Sequence, residues 1–129
     1  MMKLLRPATT RTRGHETEAL ARQWLEQQGL VHIDSNWQCR LGEIDLIMRD
    51  GDCLVFVEVR YRKSRHFGGA LASVTASKQR KLAAAAGIWL SRQRHAVDAC
   101  RFDVLGMEPD TDAKLQYQWI QNAFSGETR

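Results

Sequence analysis

Two short motifs in the middle of the chain carry the residue types that could do chemistry. Glu43 and Asp45 fall in one β-rich segment, and Glu58 and Arg60 fall in the next. Carboxylates that lie close together repel each other, and a divalent cation or an arginine relieves that repulsion. The two motifs therefore indicate either a metal-binding carboxylate site or a buried Glu58–Arg60 ion pair beside a solvent-exposed Asp45, and both interpretations stay open.

The Asp50-Gly51 dipeptide between the two segments is a strong signal of a β-hairpin. With this dipeptide as a two-residue turn, Asp45 lies opposite Phe56. Directly paired residues point to the same side of a sheet, and every second residue along a strand does so too. One face is then predicted to carry Glu43, Asp45, Glu58 and Arg60, and the other to carry Ile44, Leu46, Met48, Cys53, Val55, Val57 and Val59.

The segment from Cys53 to Val59 is apolar except for Glu58, which is typical of a strand buried on both faces. A carboxylate in such a strand is rarely left without a partner. We therefore expect Glu58 to contact a cation, either a metal ion or the guanidinium of Arg60 two residues along.

The elements that must position these residues alternate between helical and extended patterns. The long helical connection between the third and fourth strands favours a parallel pairing of those two strands. We predict an α/β fold, with a mixed sheet flanked by helices on both faces in the order α-β-β-β-α-β-β. The predicted elements are a helix from Gly14 to Gln28, strands Val31–Arg40, Glu43–Arg49 and Cys53–Arg60, a loop over 61–75, a helix from Ser77 to Arg92, and strands Arg101–Met107 and Leu115–Ile120.

Length and composition limit the class of protein. A chain of 129 residues fits one domain, which we place at 14–129 after a basic, flexible arm at 1–13. No apolar run approaches the ~20 residues that a membrane helix needs, so no membrane partner is expected. The three widely spaced cysteines favour neither a disulfide framework nor a zinc site, and a cytoplasmic location is expected.

Basic residues are concentrated between Val59 and Val97, which contains nine Lys or Arg and no Asp or Glu. Such asymmetry indicates a polyanionic partner such as nucleic acid, although a solvated basic helix face explains it equally well.

Several motifs, in this order, resemble the YraN-like family of small bacterial proteins. The similarity runs from about Gly14 to Phe124 and includes Gly42-Glu43-Ile44-Asp45-Leu46-Ile47, Leu54-Val55-Phe56-Val57-Glu58-Val59-Arg60, Lys78-Gln79 and Cys100-Arg101-Phe102-Asp103-Val104. That family is similar to Holliday-junction resolvases and to nucleases of the restriction-endonuclease type. The resemblance implies a restriction-endonuclease-like fold and a metal-dependent endonuclease, a hydrolase acting on structured DNA in recombination or repair.

The resemblance also implies roles for individual residues. Asp45 and Glu58 match the two carboxylates that bind Mg²⁺, or alternatively Mn²⁺, in such nucleases. Glu18 matches a metal-binding Glu of the first helix, although Thr17 stands where the family has Gly. A carboxylate favoured by the helix dipole is the other explanation of Glu18.

Arg60 stands where nucleases of this class carry a catalytic lysine. An arginine keeps the positive charge and can grip a phosphate with two hydrogen bonds, but it cannot give up its proton. Two functions therefore remain: an endonuclease whose catalytic residues are Asp45, Glu58, Arg60 and Glu18, or a catalytically inactive nucleic-acid-binding module with the same fold.

The expected contacts to nucleic acid, DNA before RNA, come from the basic loop and from the start of the second helix. Related resolvases act as dimers, so the resemblance also leaves a homodimer open. A flexible solvated loop and a solvent-facing helical turn explain the same residues without a ligand. The predicted contact residues are Arg62, Lys63, Arg65, Lys78, Gln79, Arg80 and Lys81.

Overall fold

The computed structural model describes residues 10–63 and 69–126. It confirms the α/β class, the order of the predicted elements and the mixed sheet between helices. The elements are α1 (Thr10–Gln27), β1 (Val31–Cys39), β2 (Gly42–Asp50), β3 (Cys53–Tyr61), α2 (Gly69–Ala72), α3 (Ala76–Ser91), β4 (Ala99–Pro109) and β5 (Leu115–Phe124).

The observed elements begin or end within about four residues of their predicted bounds, and one short helix was not predicted. The first helix begins at Thr10 rather than Gly14, so the last part of the predicted arm is helical, and residues 1–9 of that arm lie outside the described residues. The predicted loop at 61–75 contains the four-residue helix α2, which is too short for a periodic pattern to reveal. No helix in the described ranges is long and apolar enough to cross a membrane.

The five strands form one sheet in the order β1-β2-β3-β4-β5. Strands β3 and β4 are parallel, as the length of the connection through α3 predicted, and the other three neighbouring pairs are antiparallel. Strand β3 is therefore central, with paired neighbours on both sides, which explains its nearly continuous apolar sequence.

Each face of the sheet packs against one long helix. On one face, Phe56 and Val104 pack with Leu82 and Trp89 of α3. On the other face, Val57 and Leu105 pack with Leu25 of α1. The two clusters are separate hydrophobic cores, joined only through the sheet between them.

The β2–β3 hairpin has a register that differs from the predicted one. Asp50 pairs with Cys53, so the two turn residues are Gly51 and Asp52 rather than Asp50 and Gly51. Gly51 has φ 59°, in the left-handed region that hairpin turns of this length require and that glycine adopts most readily. This register brings Asp45 closer to Glu58 than the predicted register does.

Strand β2 changes faces at Asp45. Ile44 packs in the α3-side core, whereas Leu46 packs in the α1-side core, so the prediction that both line one face is wrong. The β2–β3 pairing ends at Leu46, and beyond it Gly42 of β2 approaches Lys81 of α3. A Cβ atom on Gly42 would lie only 2.9 Å from the carbonyl oxygen of Lys81, so this approach needs a glycine.

Candidate functional site

Asp45 lies where the β2–β3 pairing stops, and its side chain replaces the missing backbone partner. Its Oδ2 atom accepts a hydrogen bond of 2.8 Å from the main-chain N–H of Val59. The carboxylate is therefore held at a fixed point between the two strands, half-buried, with capacity for further contacts.

Glu58 is buried in β3, with only 4% of its surface exposed, and it contacts two cations. Arg60 Nη2 lies 2.7 Å and Lys78 Nζ lies 3.8 Å from Glu58 Oε2. The ion pair with Arg60 that the sequence offered as one alternative is therefore present. Glu58 Oε1 has no hydrogen-bond partner in residues 10–63 and 69–126.

Three carboxylates converge at this point from three elements. Asp45 of β2 lies within hydrogen-bonding reach of both Glu58 of β3 and Glu18 of α1. Two ionised carboxylates can only accept, so such contacts become hydrogen bonds when one partner carries a proton. Of the four residues predicted to share one face, Asp45, Glu58 and Arg60 lie together, and Glu18 reaches them from α1.

Asn36 is a member of the site that the sequence did not single out. It lies in β1 with φ 53°, a conformation in which Asn is enriched among non-glycine residues. Its side chain hydrogen-bonds Glu18. Nothing in the sequence near Asn36 marks it, because the contact depends on how α1 packs across the sheet.

Burial and mutual repulsion change the acidity of this cluster. Burial first, and then the neighbouring charge of Asp45, raise the pKa of Glu58 to about 8 against the opposing charges of Lys78 and Arg60. The same two causes raise the pKa of Glu18 to about 8, although the hydrogen bond from Asn36 lowers it. Near neutral pH the cluster therefore holds protons that a bound cation would displace.

The donor chemistry of the cluster suits a hard divalent cation. Mg²⁺ and Mn²⁺ are bound through oxygen ligands, and Glu58 Oε1 is a buried carboxylate oxygen without a partner among the described residues. No group of three or more His, Cys, Asp or Glu side chains within the described ranges is already arranged to hold a metal. Ligation would need the oxygens of Glu18, Asp45 and Glu58 to turn toward one point, and their metal-binding role stays a prediction.

The predicted nucleic-acid contacts are only partly gathered at the site. Lys78 is placed beside Glu58 by the first turn of α3. The side-chain amide of Gln79 instead donates to the carbonyl of Val74 at 3.1 Å, which holds it against its own loop. Four of the predicted contact residues are exposed to solvent, namely Arg62, Lys63, Arg80 and Lys81. Arg65 lies outside the described residues.

Glu43 does not join the carboxylates directly. Its side chain is exposed and accepts a hydrogen bond of 3.1 Å from the amide of Gln38. Its charge contributes only the smallest of the causes that raise the pKa of Glu18.

Comparison with known proteins gives the family of the chain. A model of the family described as "Uncharacterised protein family UPF0102" matches residues 17–107. The chain belongs to this family. The match to UPF0102 runs from α1 into β4. It therefore includes both the carboxylate cluster and the basic residues beside it.

Individual UPF0102 proteins resemble the chain over nearly its whole length. A UPF0102 protein of Alcanivorax borkumensis is 52% identical over 127 residues, which cover 98% of this chain and 100% of that protein. The UPF0102 protein YraN of Salmonella arizonae is 50% identical over 122 residues, covering 93% of this chain and 89% of that protein. The resemblance to the YraN-like family drawn from the sequence motifs is thereby confirmed.

Proposed function

We propose that this UPF0102 protein is a nuclease-type protein that binds structured DNA and hydrolyses a phosphodiester bond with the help of a divalent cation. The observation that carries the proposal is the convergence of Glu18, Asp45 and Glu58 beside two cationic side chains. A cluster of carboxylates that retains protons, and in which the buried Glu58 Oε1 has no donor among the described residues, is costly, and a metal site explains that cost.

The roles of the residues follow from their positions. Asp45, Glu58 and Glu18 would hold Mg²⁺ or Mn²⁺, which when bound polarises a phosphoryl oxygen and acidifies a water molecule. Arg60 would stabilise negative charge on the phosphate, since its guanidinium is already fixed on one side by Glu58. Lys78 would add a second positive charge from the start of α3.

A second candidate function is a nucleic-acid-binding module without hydrolysis. It is favoured by the 2.7 Å ion pair in which Arg60 already neutralises Glu58, as a metal would. In this function Arg60 acts as an internal counter-ion, and the basic residues of the surface bind the DNA backbone.

Cleavage of labelled four-way junctions, flaps and single strands in Mg²⁺ or Mn²⁺ tests the first function. The wild type is expected to cut at least one of these, and Asp45→Asn and Glu58→Gln are expected to lower the rate about 100-fold or more. Asp52→Asn, a change at the exposed tip of the same hairpin, is the matched control and should leave cutting unchanged.

The two functions give different results in that experiment. DNA binding without cutting by the wild type in either metal supports the binding module and rules out the nuclease. Failure to bind any nucleic acid at low salt rules out both, because the electrostatic part of binding is strongest there.

A further inference from the structure

A cavity of about 490 Å³ lies beside the carboxylate cluster, on the other side of Arg60. It crosses the ends of three adjacent strands, and its lining includes Arg60, Arg62, Ala70, Gly106 and Gln118. Small-molecule sites in proteins usually have volumes of about 300–1,000 Å³. The cavity is therefore large enough for a ligand of its own.

The floor of the cavity depends on a glycine. Gly106 pairs with Arg60 on one side and with Gln118 on the other, so the three residues form one row across β3, β4 and β5. A Cβ atom at Gly106 would lie 2.6 Å from the Cβ of Ala70 in α2. Glycine therefore lets α2 approach the sheet and leaves the space between Arg60 and Gln118 free of a side chain.

Arg60 links this cavity to the carboxylate cluster. Its Nη2 atom contacts Glu58, whereas its Nε atom is buried and has no hydrogen-bond partner in the described part of the chain. Arg62, which is exposed, also lines the cavity and brings a second guanidinium-bearing side chain, while Glu108 lines it as well and brings a carboxylate. Two guanidinium groups around one space are suited to a phosphate, which accepts paired N–H donors.

The opposite wall of the cavity contains the side-chain amide of Gln118. Gln118 is exposed on β5, and its Oε1 atom is 3.8 Å from where a Cβ on Gly69 would be. A glutamine amide both donates and accepts, which matches the edge of a nucleobase. Tyr117 also lines the cavity, but its ring is stacked on Trp24 at 4.9 Å and is therefore already occupied. Recognition here would use the base edge rather than ring stacking.

We propose that this cavity is a subsite for one unpaired nucleotide of the nucleic acid. Arg60 and Arg62 hold the phosphate of that nucleotide, and Gln118 hydrogen-bonds the edge of its base. A base that is already paired has its edge engaged by its complement, so the subsite selects bulges, flaps and open junction centres over perfect duplex. This inference rests on the proposed function for the nucleic acid itself, but not on hydrolysis.

Equilibrium binding without metal tests the subsite separately from cutting. Fluorescence anisotropy in EDTA compares a fluorescein-labelled duplex that has one bulged nucleotide with the same duplex fully paired. The wild type is expected to bind the bulged duplex more tightly, and Gln118→Ala is expected to lower that affinity about five- to tenfold. Affinity for the paired duplex should stay the same.

Two further variants serve as a control and as a second test of the Gln118 amide. Gln121→Ala removes another exposed glutamine of β5 that does not line the cavity, and it should bind like the wild type. Gln118→Glu keeps the size of the side chain but replaces the amide with a carboxylate, so it should weaken binding of the bulged duplex at least as much as Gln118→Ala. Circular dichroism confirms that each variant is folded.

The outcomes separate this inference from the proposed function. Equal affinity of the wild type for the two duplexes, or equal loss with Gln118→Ala and Gln121→Ala, overturns the subsite and leaves the nuclease proposal standing. Selective loss in the Gln118 variants supports the subsite even if no DNA is ever cut. No binding of either duplex in EDTA overturns the subsite, whereas the cleavage and binding experiments in Mg²⁺ or Mn²⁺ still decide the proposed function.

Discussion

At the scale of single residues, Asp45 shows how a side chain can take over a backbone role. Its Oδ2 atom satisfies the Val59 N–H at the point where the strands separate, and this fixes the carboxylate between Glu18 and Glu58. Because one acid is fixed by the main chain, the other two must tolerate its charge. Burial first, and then this charge, raise the pKa of each neighbour.

Glu18 gives a prediction about pH. Its pKa is about 8 in the folded protein against 4.5 for an ordinary Glu, so the unfolded chain ionises first as pH rises. Ionisation therefore destabilises the fold progressively between about pH 4.5 and pH 8. Glu18→Gln should raise the free energy of unfolding at pH 8 by about 1 kcal/mol, after allowance for solvent screening at this half-buried position, and should change it much less at pH 5.

Urea unfolding of wild type and variant at the two pH values measures this difference. Glu16→Gln, an exposed change on the same helix, is the control and should show no such gain. A gain for Glu18→Gln that is equal at pH 5 and pH 8 would contradict the assignment of the raised pKa.

Asp103 is a second buried acid, and unlike Glu58 it has a full set of hydrogen-bond donors, which leads to a prediction about stability. It is 0% exposed and accepts hydrogen bonds from Arg101 Nε at 3.0 Å, Trp119 Nε1 at 2.9 Å and the Asn122 main-chain N–H at 2.9 Å. Asp103→Asn removes the charge and turns one acceptor into a donor that faces donors. We expect a loss of about 3 kcal/mol in the free energy of unfolding.

Denaturant unfolding at pH 7 measures that loss. Asp112→Asn, in the exposed turn between β4 and β5, provides the comparison and should cost less than about 0.5 kcal/mol. A similar small cost for both variants would show that Asp103 is not needed to join the last two strands.

At the scale of elements, some features were predictable from local patterns and others were not. The hairpin after Asp50 and the parallel β3–β4 pair follow from turn chemistry and connection length, both of which are local. The face change at Asp45 was not predictable, because alternation assumes an unbroken ladder, and the contact between Asn36 and Glu18 depends on helix packing. The sequence therefore predicted the residues that the strands bring to the site, but it did not predict every residue that contacts them.

Helix α3 depends on its N-cap for the position of Lys78. Thr75 caps the helix, and its hydroxyl accepts a hydrogen bond of 3.1 Å from the main-chain N–H of Lys78. Thr75→Ala should lower the free energy of unfolding by about 1 kcal/mol. Thr75→Ser retains the capping hydroxyl and should retain most of the stability that the cap provides. Thermal unfolding of the three proteins is the measurement, and equal melting temperatures for Ala and Ser would show that the cap contributes nothing.

At the scale of the whole molecule, a bound cation should stabilise the native state alone. The carboxylates come from separate elements, so an unfolded chain does not present them together. Mn²⁺ at about 100 times its dissociation constant should raise the free energy of unfolding by about 2.7 kcal/mol. It should also release protons near pH 7, because the raised pKa of about 8 keeps Glu18 largely protonated there.

Thermal unfolding with MnCl₂ and proton release in weak buffer measure the two effects. NaCl at the same ionic strength controls for screening, and Asp45→Asn should remove most of both responses. If Asp45→Asn responds to Mn²⁺ as the wild type does, the metal binds somewhere else.

The two cores on opposite faces of the sheet have a consequence for how this protein could be switched on or off. Glu18 arrives with α1 from one face and contacts Asp45, whereas Lys78 arrives with α3 from the other face and contacts Glu58. A partner that loosens either helix would therefore move Glu18 or Lys78 away from the carboxylate cluster without contacting the cluster. Peptide ligands of the helices, rather than of the cluster, would therefore be a way to separate its acids from its cations.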